Sequence, residues 1–252
     1  MNTTGNTILI TGGGSGIGRE LAREFHTLGN TVIVAGRTAA SLEETIAGRA
    51  GMHARTLDVG SGPDIARFAK AIAAEFPALN GLINNAGIMA REDLLADPVD
   101  LAVAEATVAT NILGPVRLTA ALLPHLRAQA TATVMTVTSG LAFVPLSATP
   151  TYSASKAAMH SWTQSLRYLL RDTNIEVIEI APPGVQTELT PGQSAREAYM
   201  PLKDYIAETM ANFKALPDTG ENLTSRVKYL RNAEAEGRFD ATFKMINDAY
   251  SA

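Results

Sequence analysis

Six short runs rich in β-branched residues punctuate this chain: TILIT (7–11), TVIVAG (31–36), MHARTLDV (52–59), GLINNAG (81–87), ATVMTVTS (132–139) and IEVIEIAP (175–182). Amphipathic stretches of about helix length separate the first four. Parallel strands need long crossovers, usually helices, so the alternation predicts an α/β fold: a Rossmann-type, doubly wound parallel sheet with helices on both faces. TILIT and TVIVA are apolar nearly throughout, as strands covered on both sides should be. Leu21, Phe25 and Leu28 lay an apolar stripe along the first crossover, and Gly29 offers its stop.

With 252 residues and no linker-like shift in composition, one domain over 1–252 is expected. Two long helical regions follow, about 98–128 and 150–172. After the sixth strand GVQTELTPGQSAREAYMPLKDY is dense in turn formers, which predicts a mobile substrate lid over about 188–216. A seventh strand is only weakly suggested by GENLTSRV.

Composition narrows the partners. Lys plus Arg number 21 against 25 for Asp plus Glu, a net charge of −4, and no basic run occurs. Neither a nucleic-acid nor an anionic-membrane partner is expected. Cysteine is absent, and the four histidines lack H-x-x-H spacing, so no metal is expected. MNTTGNTILIT has neither a basic region nor a long apolar run, and a cytoplasmic location is the default expectation.

Directly after TILIT comes TGGGSGIG, opening a helix. Gly12, Gly16 and Gly18 are spaced G-x-x-x-G-x-G, with Gly14, Ser15 and Ile17 between and beside them. Residues without a Cβ let backbone N–H groups and a helix N-terminus close on a pyrophosphate, so a bound dinucleotide is expected here. At the end of the second strand an acidic side chain would hold the ribose hydroxyls of NAD; here stand Arg37 and Thr38, and a guanidinium suits the extra phosphate of NADP(H). Asp58 and Val59 end the third strand, where an adenine edge can be read. Asn85, Ala86 and Gly87 end the fourth with small residues that admit a cofactor.

In TYSASKAAMH (151–160) Tyr152 and Lys156 lie one helical turn apart if Pro150 begins the helix. Such a pair is commonly a partly buried aromatic beside a surface charge. As chemistry it is an acid/base device: the lysine ammonium, with the positive charge of an oxidised nicotinamide, would pull the phenol below its ordinary pKa near 10. Ser139 closes the fifth strand on the ligand-binding side, and Asn111 puts an amide into an apolar helical stretch, either as a kink satisfied by water or as a functional group.

TGGGSGIG, NNAG, Asn111, Ser139 and YSASK, in this order, resemble the short-chain dehydrogenase/reductase family in its compact single-domain form. IAPPGVQTEL is similar to that family's segment after the sixth strand, where Pro183, Gly184, Val185 and Thr187 would approach the nicotinamide. The resemblance implies an NADP(H)-dependent oxidoreductase. Tyr152 would carry the proton, Lys156 would hold the nicotinamide ribose, Ser139 would orient the substrate oxygen, and Asn111 would anchor a relay water. It also implies a homo-oligomer, dimer or tetramer, built on the two long helical regions. Beyond Thr190 the chain departs from the common family ending and resembles a bacterial subgroup labelled DltE-like. Leu141, Phe143, Val144 and Pro145, with Ile88, Met89, Leu189, Tyr199 and Met200, suggest an apolar substrate pocket. Alternative readings are a catalytically silent dinucleotide sensor and a nucleotide-sugar epimerase or dehydratase; the latter usually carries a larger substrate domain and a differently spaced loop.

Overall fold

The computed structural model describes residues 2–251. Seven strands form one parallel sheet: β1 (Thr7–Thr11), β2 (Thr31–Gly36), β3 (Met52–Thr56), β4 (Leu79–Asn84), β5 (Ala132–Val137), β6 (Ile175–Ala181) and β7 (Glu221–Leu223). Their spatial order is β3-β2-β1-β4-β5-β6-β7. The order reverses between β1 and β4, and the crevice above such a point is where open α/β sheets take ligands. The seventh strand is real but only three residues long, too short for a clear apolar period.

Successive side chains on each strand feed two cores. Leu9, Leu82, Val134 and Val177 face one side, where α3 (Gly62–Glu75) contributes Ile65 and Phe68 and α5 (Gly114–Arg127) contributes Leu118 and Leu122. Ile8, Ile10, Ile83 and Ile178 face the other, against Leu21 and Phe25 of α1 (Gly16–Thr27) and Tyr205 and Ile206 of α7 (Leu202–Asn212). Between β2 and β3 lies α2 (Ala39–Ile46).

Three sequence expectations change. The long helical region begins at Ala102, not near Pro98, because the Asp100 carboxylate accepts the Ala102 N–H at 2.8 Å and fixes the helix entry there. It runs as α4 (Ala102–Val108), a π-helical turn (Ala109–Leu113) and α5. This 26-residue stretch is apolar and long enough to cross a membrane, yet Leu118, Leu122 and Leu126 belong to the core. The segment expected as a lid is also divided: Met200, Tyr205, Ile206 and Phe213 are buried in the second core, with Phe213 5.7 Å from Phe25 between ring centroids. Only its first part, through Gln193, borders the cleft described below. The chain closes with α8 (Lys228–Arg231) and α9 (Phe239–Ser251).

Candidate active site

A cleft of about 500 Å³ runs along the carboxyl ends of the strands, from the end of β2 past the β1–α1 loop to the end of β5. At its floor, Gly12 has φ +67°, and a Cβ there would lie 2.9 Å from the Ala86 Cα. A Cβ on Gly18 would sit 2.4 Å from both the Gly12 carbonyl oxygen and Asn85 Nδ2. These glycines let β1 and α1 close around Asn85, whose Nδ2 donates to the Thr11 carbonyl at 2.9 Å. Thr11 Oγ1 in turn accepts from the N–H groups of Asn85 and Ala86, at 3.1 Å each. Ser15, at the N-cap of α1, makes no side-chain cap, so the first-turn N–H groups face the cleft without an internal acceptor. A cradle a single methyl would fill, with a helix N-terminus aimed into it, fits a pyrophosphate.

Arg37 and Thr38 line one end of the cleft, and Leu57, Asp58 and Val59 flank it. Arg37 is exposed and makes no ion pair among the described residues. Neither Gly36, Arg37 nor Thr38 puts a carboxylate at the end of β2.

At the opposite end α6 (Pro150–Leu169) starts at Pro150 and places Tyr152 and Lys156 one turn apart, both buried. Lys156 Nζ donates to the Val137 carbonyl at 2.8 Å and lies 5.6 Å from the centre of the Tyr152 ring. Ser139, the next residue but one, has its hydroxyl within hydrogen-bonding range of the Tyr152 phenol. Burial pushes the phenol up to about 12, with the Ser139 hydrogen bond acting downward against it. Lysine does not reverse this. Burial lowers the Lys156 ammonium itself to about 8. Among the chain's own groups, desolvation is the largest influence on the phenol.

Asn111 sits in the π-helical turn and is buried, outside the cleft lining. Its Oδ1 accepts the Ile88 N–H at 2.9 Å, and its Nδ2 donates to the Ile88 carbonyl at 2.9 Å and to Ser155 Oγ at 3.2 Å. The kink read from sequence is thus a π turn, and protein groups engage the amide. It holds the loop after β4 against α6, and a Cβ on Gly87 would fall 3.3 Å from Asn111 Oδ1 and 3.6 Å from Lys156 Nζ.

Gly12, Gly14, Ser15, Gly16, Ile17, Gly18, Arg37, Thr38, Asp58, Val59, Asn85, Ala86, Gly87, Ser139, Tyr152, Lys156, Pro183, Val185 and Thr187 all border this one cleft. Gly184 does not; it packs on the Tyr199 ring, 3.1 Å from where its Cβ would be. Of the suggested apolar pocket, Ile88, Met89 and Leu189 are in place. Leu141, Phe143, Val144, Pro145, Tyr199 and Met200 are not in the lining, Val144 and Met200 being buried. Apolar character alone does not separate a pocket wall from the core behind it. Sequence reasoning passed over Ser41, Thr110, Thr138, Pro182, Glu188 and Gln193, small or polar residues with no spacing signal.

The sequence profile described as short chain dehydrogenase matches residues 6–198. The chain belongs to the short-chain dehydrogenase family. Members are oxidoreductases, and a relative in Bacillus subtilis (strain 168), "Uncharacterized oxidoreductase DltE", is 39% identical over 251 residues, covering 98% of each chain. That likeness runs past the end of the family profile, through the divergent carboxyl-terminal segment. A short-chain dehydrogenase from Burkholderia cenocepacia J2315 in complex with NADP superposes with a TM-score of 0.82 at 22% identity, over 96% of this chain and 99% of the other. Another, from Burkholderia phymatum in complex with NAD, gives 0.80 at 22% identity, over 94% and 97%. These short-chain dehydrogenase structures share the fold.

Proposed function

We propose that the protein is an NADP(H)-dependent oxidoreductase acting on a carbonyl or secondary alcohol of a small, largely apolar substrate, with Tyr152 as the general acid/base. One observation carries this reading: a single cleft holds the glycine cradle at one end and Ser139, Tyr152 and Lys156 at the other. Two of the family structures above were solved with NADP and with NAD, so the preference rests on Arg37. The β1–α1 loop and the α1 N-terminus would hold the pyrophosphate, Asp58 and Val59 the adenine, Lys156 the nicotinamide ribose, and Pro183, Val185 and Thr187 the nicotinamide. Bound nicotinamide would supply or accept the hydride. The rest belongs to the chain. Ser139 orients the substrate oxygen, and Tyr152 gives it the phenolic proton in reduction and recovers it in oxidation. Asn111, locked to Ile88 and Ser155, fixes the loop that borders Lys156 and stands where a relay water would be anchored. Ile88, Met89 and Leu189 favour an apolar substituent, and residues 188–193 act as the mobile border. A homo-oligomer is proposed on the long helical faces.

Consumption of NADPH and NADH across a ketone, aldehyde and quinone panel tests the activity. Arg37→Glu tests the preference. A guanidinium–phosphate contact is worth about 1.5–3 kcal/mol, so the variant should lose roughly 10- to 100-fold in NADPH affinity with NADH little changed. Equal loss for both cofactors, or none, would overturn the assignment of Arg37.

A further inference from the structure

Three consecutive residues at the end of β5 reach three successive turns of α6. Val137 accepts from Lys156 Nζ at 2.8 Å, and Ser139 meets the Tyr152 phenol. Between them, Thr138 Oγ1 donates to Glu179 Oε1 at 2.6 Å, and the other oxygen of that carboxylate, Oε2, is 2.7 Å from His160 Nδ1. Tyr152, Lys156 and His160 are spaced i, i+4, i+8 and so share one face of α6.

Glu179 is a fully buried carboxylate on β6 that a doubly wound sheet does not require. Around it lies a closed set. Glu221 of β7 is nearby and is forked by Arg231 of α8, Nε to Oε2 at 3.1 Å and Nη2 to Oε1 at 3.0 Å. Arg231 also lies 4.8 Å from the centre of the Phe143 ring, and Phe143 meets the His160 ring edge to face at 4.9 Å. All four carboxylate oxygens of Glu179 and Glu221 already lie against protein hydrogen-bonding groups, so the arrangement reads as a brace. Its outer wall comes from the divergent carboxyl-terminal segment. A Cβ on Gly140 would lie 2.8 Å from Leu230 and 3.1 Å from Val227, so the loop after Ser139 is seated directly on that segment.

We propose that Glu179 is a positioning residue for the reaction, bridging Thr138 and His160 so that Ser139, just past β5, and Tyr152 on α6 keep one relative placement. Glu179 and His160 lie outside the cleft lining, and Thr138, which borders the cleft, commits its hydroxyl to Glu179. The bridge acts through the two elements it joins, and a shift of Ser139 of about 1 Å against Tyr152 is enough to cost a large factor in turnover. The inference rests on the oxidoreductase reading above.

The test uses the full-length protein, with p-nitrobenzaldehyde and NADPH as probes. Thr138→Val keeps the β-branched shape and deletes the hydroxyl; Thr138→Ser restores it. The expected result is a fall of about tenfold in kcat for Thr138→Val, with KM for NADPH and its fluorescence-measured Kd within twofold of wild type. Thr138→Ser should return kcat to within threefold. Combined with His160→Gln, the Thr138→Val effect should be less than multiplicative, because both changes break the same bridge. A Thr138→Val enzyme with wild-type kcat, or a loss that the Ser variant does not rescue, would overturn the brace alone. A wild-type protein that turns over neither this probe nor the broader carbonyl panel would overturn the oxidoreductase reading, and the brace with it.

Discussion

The Tyr152 phenol and the Lys156 ammonium are both buried, and burial moves them in opposite senses, one up to about 12 and the other down to about 8. At neutral pH the tyrosine is a phenol, ready to donate. Carbonyl reduction should therefore show no rise in kcat between pH 6 and 8, whereas alcohol oxidation, which needs the phenolate, should climb with pH to an extent approaching tenfold per unit, as stopped assays in the two directions would show. An oxidation rate flat from pH 7 to 9.5 would remove Tyr152 as the base. Lys156 also has a stability signature. Its folded value of about 8 lies below the ordinary 10.5, so between those limits the unfolded chain binds a proton that the folded chain has released, and stability from this group rises with pH across that window. Below pH 8 the folded protein carries the full cost of burying the ammonium. Lys156→Met should thus be more stable than wild type in urea melts at pH 7, by up to about 3 kcal/mol, with the advantage shrinking by pH 9.5. The opposite trend would show that the hydrogen bond to Val137 outweighs desolvation.

At the scale of elements, the glycine loop is a packing device as much as a binding one. Gly18 lies where α1 crosses Asn85, and the Asn85 amide ties the end of β4 to the end of β1. Gly18→Ala should force these apart, costing about 1–3 kcal/mol in stability and at least tenfold in NADPH affinity; thermal melts and fluorescence titration check the two separately. Unchanged affinity would show that the cradle tolerates a methyl. The same region explains what was legible in the sequence. Strands β1 and β2 end where their apolar runs end, because both faces are covered and nothing else is asked of them. Residues 57–59, 85–87 and 138–139 read as continuations of strands but lie past the strand ends, where the chain lines the cleft. Tyr152, Lys156 and Ser139 were visible because helical period and strand end fix where they point. Thr138, Glu179 and His160 were not, for their relation spans β5, β6 and α6 and follows no local period. Met200 and Val144 show the converse: apolar residues near the site in sequence, yet buried in the body of the protein.

For the whole molecule, the exposed apolar residues include two sets on helices that pack together. Tyr168 and Leu169, at the end of α6, are 67% and 72% exposed, while Leu101, Val108 and Leu113 stand out along α4 and the π turn. These are the two helical regions that carry the proposed subunit contact. Isolated exposed leucines are ordinary on a protein surface; these lie on helices that already pack together, and we propose them as the contact face. A two-fold axis across such a face makes the contact self-complementary, so one charged substitution is felt twice. Light scattering should find a dimer or tetramer, and Tyr168→Glu with Leu169→Glu should shift it toward monomer at micromolar concentration if the face includes the end of α6. The Tyr152 helix then connects assembly to chemistry: its buried face carries Tyr152, Lys156 and His160, and its outward end would be held by a second copy. If so, the monomeric variant should also lose turnover per site while retaining its fold by circular dichroism. A wild-type monomer, or a variant that stays assembled, would detach the subunit contact from this end of α6.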